Sequence, residues 1–321
     1  MDKMEMLRER IIRRANDEGA DLVGFGPIAR FHDPAIAKIF PETKTVIAIG
    51  FRVLRGSYRG IEEGSTYYQY TTTGVETIEE TLIPGALLRI CAAIEDDGYL
   101  AVPQRRNQLL RASDEALNPE MLHTEFYQAG AKEPQIDFTQ AAALCGLGEI
   151  GRSGALLTDP FGPFQRVALI LTDAELPETP LVTPHLCDQC GECIHACPGH
   201  AMAADGTLNR WQCAAYYRGA NMTTNPYMPP DAYEDRADRM EIMTGQADLS
   251  FADAKEVMAE THFYPPIKHG YVSSICGRAC DRACYAHLEE KGVLTKHFVR
   301  PLRIRPVWSL PVLTEADQKE E

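Results

Sequence analysis

CDQCGECIHACPGHAM, residues 187–202, sets four cysteines at intervals of three, three and four and follows the last with a proline. Thiols this close form disulfides in oxidising compartments and bind metal or carry redox chemistry in reducing ones. The rest of the chain argues for a reducing setting. No stretch approaches the roughly 20 uninterrupted apolar residues of a membrane span. The opening, MDKMEMLRERIIRRAND, alternates charges like an amphipathic helix where a signal peptide would need an apolar core. Arg13 and Arg14 are followed by no apolar segment, which argues against a twin-arginine export signal. The expectation is a cytoplasmic protein without membrane association. With 32 basic and 46 acidic side chains, the net charge of −14 repels phosphate backbones and makes nucleic acid a disfavoured partner.

The spacing CxxCxxCxxxCP is the bacterial ferredoxin pattern, in which three thiolates bind one four-iron cluster and the fourth cysteine reaches a different one. A single zinc ion usually draws its four ligands from two separated pairs, so zinc is the weaker reading. A second cluster needs four more ligands, and Cys213, Cys276, Cys280 and Cys284 are available. The crossed pattern predicts Cys187, Cys190, Cys193 and Cys284 on one 4Fe-4S cluster and Cys197, Cys213, Cys276 and Cys280 on the other. CGRACDRAC departs from the pattern by its CxxxCxxxC spacing, which would also let Cys280 and Cys284 share one face of a helix and one cluster. His195 and His200 read as surface or supporting groups. Cys91 falls on an apolar helical face and reads as a core residue.

Outward from the cysteines, the chain reads as α/β. Residues up to about 20 form a helix, ADLVGFGPI and TKTVIAIGFRV form strands, and VALILTD forms a third, buried strand. The segment 74–99 has helical apolar spacing, with Pro84 marking a kink or a helix start. AELPETPLVTPHL, with its three prolines, suggests a boundary near residue 180. The expected domains are therefore 1–180, a cofactor- and substrate-binding core; 181–290, a ferredoxin-type domain with a helical, acidic insert at 221–270; and a tail, 291–321. The insert reads as a solvated flap.

LCGLGEIGRSGALLTDPFGPFQRVALILTD, residues 144–173, carries Gly146, Gly148, Gly151 and Gly154 within nine residues. Such a run permits positive φ and close approach of a flat ligand or phosphate to backbone N–H groups. The GxGxxG spacing invites a dinucleotide reading, but a helical segment precedes it where a strand is required.

GLGEIGRSGALLTDPFGP, followed by LILTD, the proline-rich link and CxxCxxCxxxCP, resembles the shared core of the cobalamin-dependent iron–sulfur reductases, namely the reductive dehalogenases and epoxyqueuosine reductases. ANDEGADLVGFGPIA and FPETKTVIAIGFRV extend the resemblance over most of residues 10–215. It implies a nitroreductase-like α/β (α+β) core followed by a ferredoxin-like domain with two 4Fe-4S clusters. Cobalamin is the implied cofactor, with flavin as the alternative. The implied activity is removal of a leaving group from a small organic substrate, with a ferredoxin- or flavodoxin-type electron donor. Gly146, Gly148, Glu149, Gly151, Arg152, Gly154, Phe161 and Gly162 are the expected cofactor-binding residues, the Glu149, Arg152 and FGP features being closer to the dehalogenase branch. For the proton, the dehalogenase branch implies a tyrosine with a basic partner. Strand alternation in STYYQY would place Tyr68 and Tyr70 on one face, with Arg152 as the partner. The queuosine branch, which works on tRNA, implies an aspartate, for which Asp137 is the candidate; Asp137 also reads as a plain helix N-cap. An export signal, a second CxxCxxxCP motif and a helical-repeat tail are absent from the pattern. An electron carrier or an activator of a corrinoid protein is the alternative from another class.

Overall fold

The computed structural model describes residues 2–106, 136–261, 263–264, 272–302 and 304. The fold is mixed α/β. β1 (Leu22–Pro27), β2 (Thr45–Arg52), β3 (Ala101–Gln104) and β6 (Gln165–Thr172) form a sheet in the order β1-β2-β6-β3. Every pairing is antiparallel. β4 (Glu149–Ile150) and β5 (Leu156–Leu157) form a separate small hairpin.

The run TVIAIGF of β2 is buried at every position because both faces of the sheet are covered. On one face, Ile47, Ile49 and Phe51 meet Leu7 and Ile11 of α1 (Lys3–Asp17). They also meet Leu87, Ile90, Cys91 and Ile94 of α4 (Ile83–Glu95). On the other face, Val46 and Ala48 join Ile36 of α2 (Pro34–Ile39) and Ala141 and Ala142 of α5 (Phe138–Leu144). Alternate residues of one strand thus feed two cores, as the twofold period of a strand requires.

Tyr58 precedes α3 (Arg59–Glu63), and from Tyr70 to Leu82 the chain winds as a wide π-type helix that runs directly into α4, with Pro84 in the first turn of the latter. Proline is tolerated there because the first-turn N–H groups have no intrahelical acceptor. The strand reading of STYYQY is therefore corrected. Tyr67, in the bend just before the helix, and Tyr70 within it both point inward, at 1% and 2% exposure, while Tyr68 points out at 42%.

After α6 (Glu192–His195) and α7 (Arg210–Arg218) come α8 (Arg239–Thr244), α9 (Phe251–Glu260) and α10 (Ala279–Glu290). The described part of the insert is not a solvated flap: Ile242, Met243, Leu249, Val257 and Met258 pack with Ala215 and Tyr216 of α7 into a third core. Leu186, Ile275, Tyr285, Leu288 and Leu294 belong to the first core, alongside residues of the sheet. Thr179 of the proline-rich stretch pairs with β1: its N–H donates to the Phe25 carbonyl at 2.8 Å, and its hydroxyl accepts from the Phe25 N–H at 3.0 Å.

Candidate functional site

The first cysteine loop is held from the glycine-rich segment. Buried Glu149 of β4 accepts the backbone N–H groups of His185 (2.5 Å), Leu186 (3.0 Å) and Cys187 (2.7 Å). Burial pushes its carboxyl up, but the three N–H bonds outweigh that and leave it below its ordinary range. The Arg152 N–H points at Cys187 Sγ at 3.4 Å, and its guanidinium donates to the carbonyls of Gln189, at 3.0 Å, and Ala204. A Cβ on Gly146 would strike the Pro180 carbonyl, and one on Gly148 the Leu157 carbonyl. The close approach that glycine permits here is thus made by the chain itself. Gly151 packs against Leu157, and Gly162 against Leu288 and Tyr285. Phe161 is buried, with Lys296 over its ring. Gly154 adopts a positive φ of 76° with open space about it. In this structure Glu149 and Arg152 hold the cysteine loop, a task that their spacing alone did not reveal.

Around that loop the thiols of Cys187, Cys190, Cys193 and Cys284 are electrostatic neighbours. Burial raises Cys284 most, followed by Asp281 and then Cys193, Cys187 and Cys190. Burial likewise raises Cys193, with Cys190 and Cys187 adding to it. Cys190 is the exposed member of the eight. Beside it, Asp188 accepts from Lys291 Nζ at 2.6 Å and pairs with His287 Nε2 at 3.0 Å. These two partners, Lys291 first, hold the Asp188 carboxyl well below its usual range. Asp188, Cys190 and His287 lie close enough for one ion, but Lys291 already neutralises the carboxylate.

Cys197, Cys213, Cys276 and Cys280 form a second neighbourhood. Cys213 is pushed to about 12, mainly by burial, with Cys276 and Cys197 contributing. Burial dominates at Cys276 and Cys280 as well; Cys197 adds at the first, and Asp281, Cys276 and Cys213 at the second. The Ala201 N–H reaches Cys197 Sγ at 3.3 Å. Arg278, in a left-handed conformation with φ 52°, forks onto Asp281 at 2.8 and 3.2 Å. Arg282 pairs with buried Glu62 of α3 and donates to the carbonyls of Cys276, at 2.9 Å, and Gly277, at 3.0 Å. The remaining cysteines stand apart: burial raises Cys91 and Cys145 each to about 12, and the Cys145 thiol donates to the Val46 carbonyl at 3.2 Å.

Between this second group and the sheet lies a buried polar cluster. The Tyr70 hydroxyl accepts from Arg166 Nη2 at 2.9 Å, and Arg166 Nη1 lies 3.4 Å from Glu79. Burial raises the Tyr70 pKa; Arg166 and Arg278 oppose it, and Asp281 and Cys276 reinforce it. Tyr70 stacks on Tyr58 at 4.8 Å, and Tyr58 on Phe164 at 4.5 Å. The basic partner of Tyr70 is thus Arg166 at the start of β6; Arg152 is engaged at the cysteine loop. Asp137 caps α5, accepting from the N–H groups of Thr139 and Gln140 at 3.1 Å each. It lines a cavity of about 330 Å3 with Arg30, His32 and Asp33. Its helix packs on the opposite face of the sheet from Tyr70, so Asp137 and the tyrosine are not brought together. His195 and His200 are exposed.

The cysteine-rich part of the chain is similar in sequence to two kinds of reductase, and the fold is shared with a solved structure of one of them. Tetrachloroethene reductive dehalogenase of Desulfitobacterium hafniense is 43% identical over 65 residues, 19% of this chain and 12% of that protein. Epoxyqueuosine reductase of Lactococcus garvieae is 26% identical over 140 residues, 44% of this chain and 37% of that protein. The chain is related to both, and the stretches matched span well under half the length of either. A reductive dehalogenase structure discussed for B12-dependent dehalogenation shares the fold, with TM-score 0.50, 15% identity, and coverage of 80% of this chain and 36% of that one. An epoxyqueuosine reductase solved with a modified tRNA stem loop aligns at TM-score 0.45 and 12% identity, over 90% of this chain and 83% of that one. No family model matches the chain. Among the described residues no helix is long and apolar enough to cross a membrane.

Proposed function

We propose that the chain is an iron–sulfur reductase in which residues 181–290 hold two 4Fe-4S clusters and the core, residues 1–180, receives their electrons beside Tyr70. The division of eight thiols into two neighbourhoods of four supports this reading most directly. The donor set fits the clusters: all-sulfur, with backbone N–H groups aimed at Cys187 and Cys197, as thiolate ligands favour. The clusters, when bound, supply single electrons. Cobalamin, which the resemblance implies, is a poorer fit to the residues named for it. Gly146 and Gly148 are covered by the chain, and Glu149 and Arg152 are engaged at the cysteine loop. The roles argued below for Tyr70 and the thiols do not depend on cobalamin, nor on flavin in its place.

Reductive removal of a leaving group takes two electrons and one proton, giving a C–H bond and a released anion. Tyr70 is the proposed proton donor, its oxygen held by Arg166 so that the phenolate left behind is paired with a guanidinium. The charges of Arg278 and Asp281 act on both that hydroxyl and the thiol of Cys280 in the second group. The substrate class proposed is a small halogenated or similarly activated organic molecule. Anaerobic reconstitution tests the reading: about eight iron and eight sulfide per chain, with turnover of such a substrate under a low-potential reductant, is the expected outcome. An iron content near four removes the second cluster. Full iron loading without turnover of any substrate leaves the electron-carrier reading in its place.

A second reading, epoxide reduction on tRNA, is favoured by the longer match to the queuosine branch, 44% of the chain against 19%. Modified tRNA offered under the same conditions separates the two.

A further inference from the structure

The described part of the insert, residues 221–261, takes no part in the chemistry above, yet it is built onto the turn that follows Cys197. Asn221 Nδ2 donates to the Pro198 carbonyl at 2.6 Å. Gln212, the residue before Cys213, donates to the Gly199 carbonyl and accepts the Leu249 N–H at 3.1 Å. The Tyr216 ring lies so close on Gly199 that a Cβ there would overlap it. Gly245, at φ 80°, backs onto the Pro198 carbonyl with no room for a side chain. The Pro198 carbonyl is thus taken by the insert and the Gly199 carbonyl by α7, and the apolar core that α7 shares with the insert lies behind the turn. Among the described residues the first group has no such cover, and Cys190 is exposed.

We propose that residues 221–261 are an insulating cap that keeps water from the second cluster and leaves the first, at Cys190, as the point where an external electron donor makes contact. The inference rests on the two-cluster reading. Reducing a cluster adds negative charge, which a dry surrounding disfavours, so the cap holds the second cluster at a lower potential than an uncovered one would have.

The test is iron release from the anaerobically reconstituted full chain to a ferrous chelator, with a redox titration followed by electron paramagnetic resonance. The wild type should lose half its iron quickly and half at least tenfold more slowly. Asn221→Ala, which frees the Pro198 turn, and Gly245→Val, which wedges the insert away, should speed the slow half at least tenfold and leave the fast half unchanged. The lower-potential signal should move upward in both. Lys291→Ala, beside Cys190, should speed the fast half alone. Should Gly245→Val fail to fold, Asn221→Ala, with its helicity checked by circular dichroism, carries the test. Eight irons leaving in a single phase, or cap variants that change only the fast half, overturn the cap. A wild-type content near four irons overturns the two-cluster reading and the cap with it.

Discussion

Replacing Glu149 with Gln tests whether the glycine-rich segment serves the cysteine loop. In the wild type one carboxylate oxygen takes the N–H of Cys187, and the other takes those of His185 and Leu186. An amide has one acceptor. If its oxygen keeps the His185 and Leu186 pair, its NH2 group faces the Cys187 N–H, donor against donor. The variant then loses a charge-assisted bond of about 1.5–3 kcal/mol and strands a partly buried N–H at a further cost of about 1–3 kcal/mol. Water reaching Cys187, which is itself only half-buried, reduces the second cost, so about 3 kcal/mol is the expected destabilisation. Urea unfolding of the reconstituted protein should show it as a lower midpoint, and metal analysis should show selective loss of the first group's iron, about half the total. A variant with full iron and a midpoint within about 0.5 kcal/mol of wild type, the scatter of ordinary surface changes, would refute the anchoring role. The pH dependence has a definite sign. The folded Glu149 pKa is lowered, so its stabilisation is complete above the ordinary carboxylate value of about 4.3 and is lost as pH falls through the lower folded value. Iron retention should therefore be insensitive to this group between neutrality and about pH 5.

Tyr70→Phe should leave both clusters bound while lowering turnover by roughly 10² to 10⁴, and Tyr68→Phe, on the exposed side of the same helix, should leave turnover unchanged; steady-state kinetics on the two separates them. Cys91→Ala should keep all the iron and cost about 1–2 kcal/mol in urea unfolding, the order of a small core truncation. Glu62→Gln leaves the Arg282 guanidinium buried without its countercharge and should cost about 3–5 kcal/mol, seen as a lower thermal midpoint with early release of iron from the second group.

The sheet was legible because β2 and β6 carry short apolar runs rich in Val and Ile, the pattern of a strand covered on both faces. Antiparallel order was not legible, since the pattern of a buried strand is the same in either direction. STYYQY was misread because two-residue and three-residue spacings overlap in so short a stretch; only the turn after Gly64 and the run into α4 decide for a helix. The thiols announce themselves by local spacing. Their supports do not: Glu149 lies 36 to 38 residues from the N–H groups it accepts, and Arg166 lies 96 from the tyrosine it holds. Arg278 and Arg282 sit among the cysteines of CGRACDRAC at a one-turn interval, a signal that the sequence offered and that a reading centred on sulfur passed over.

The first core is completed by Ile275, Tyr285, Leu288 and Leu294, residues synthesised after the rest of it. At a translation rate of roughly 5–20 residues per second, Cys187, Cys190 and Cys193 wait on the order of 5–20 s for Cys284 to follow. Through that interval one side of the sheet lacks part of its cover and three thiols stand together without Cys284. Zinc, oxygen or a chaperone has that time to reach them. Faithful maturation then becomes a contest of rates, decided on the nascent chain by how soon α10 docks.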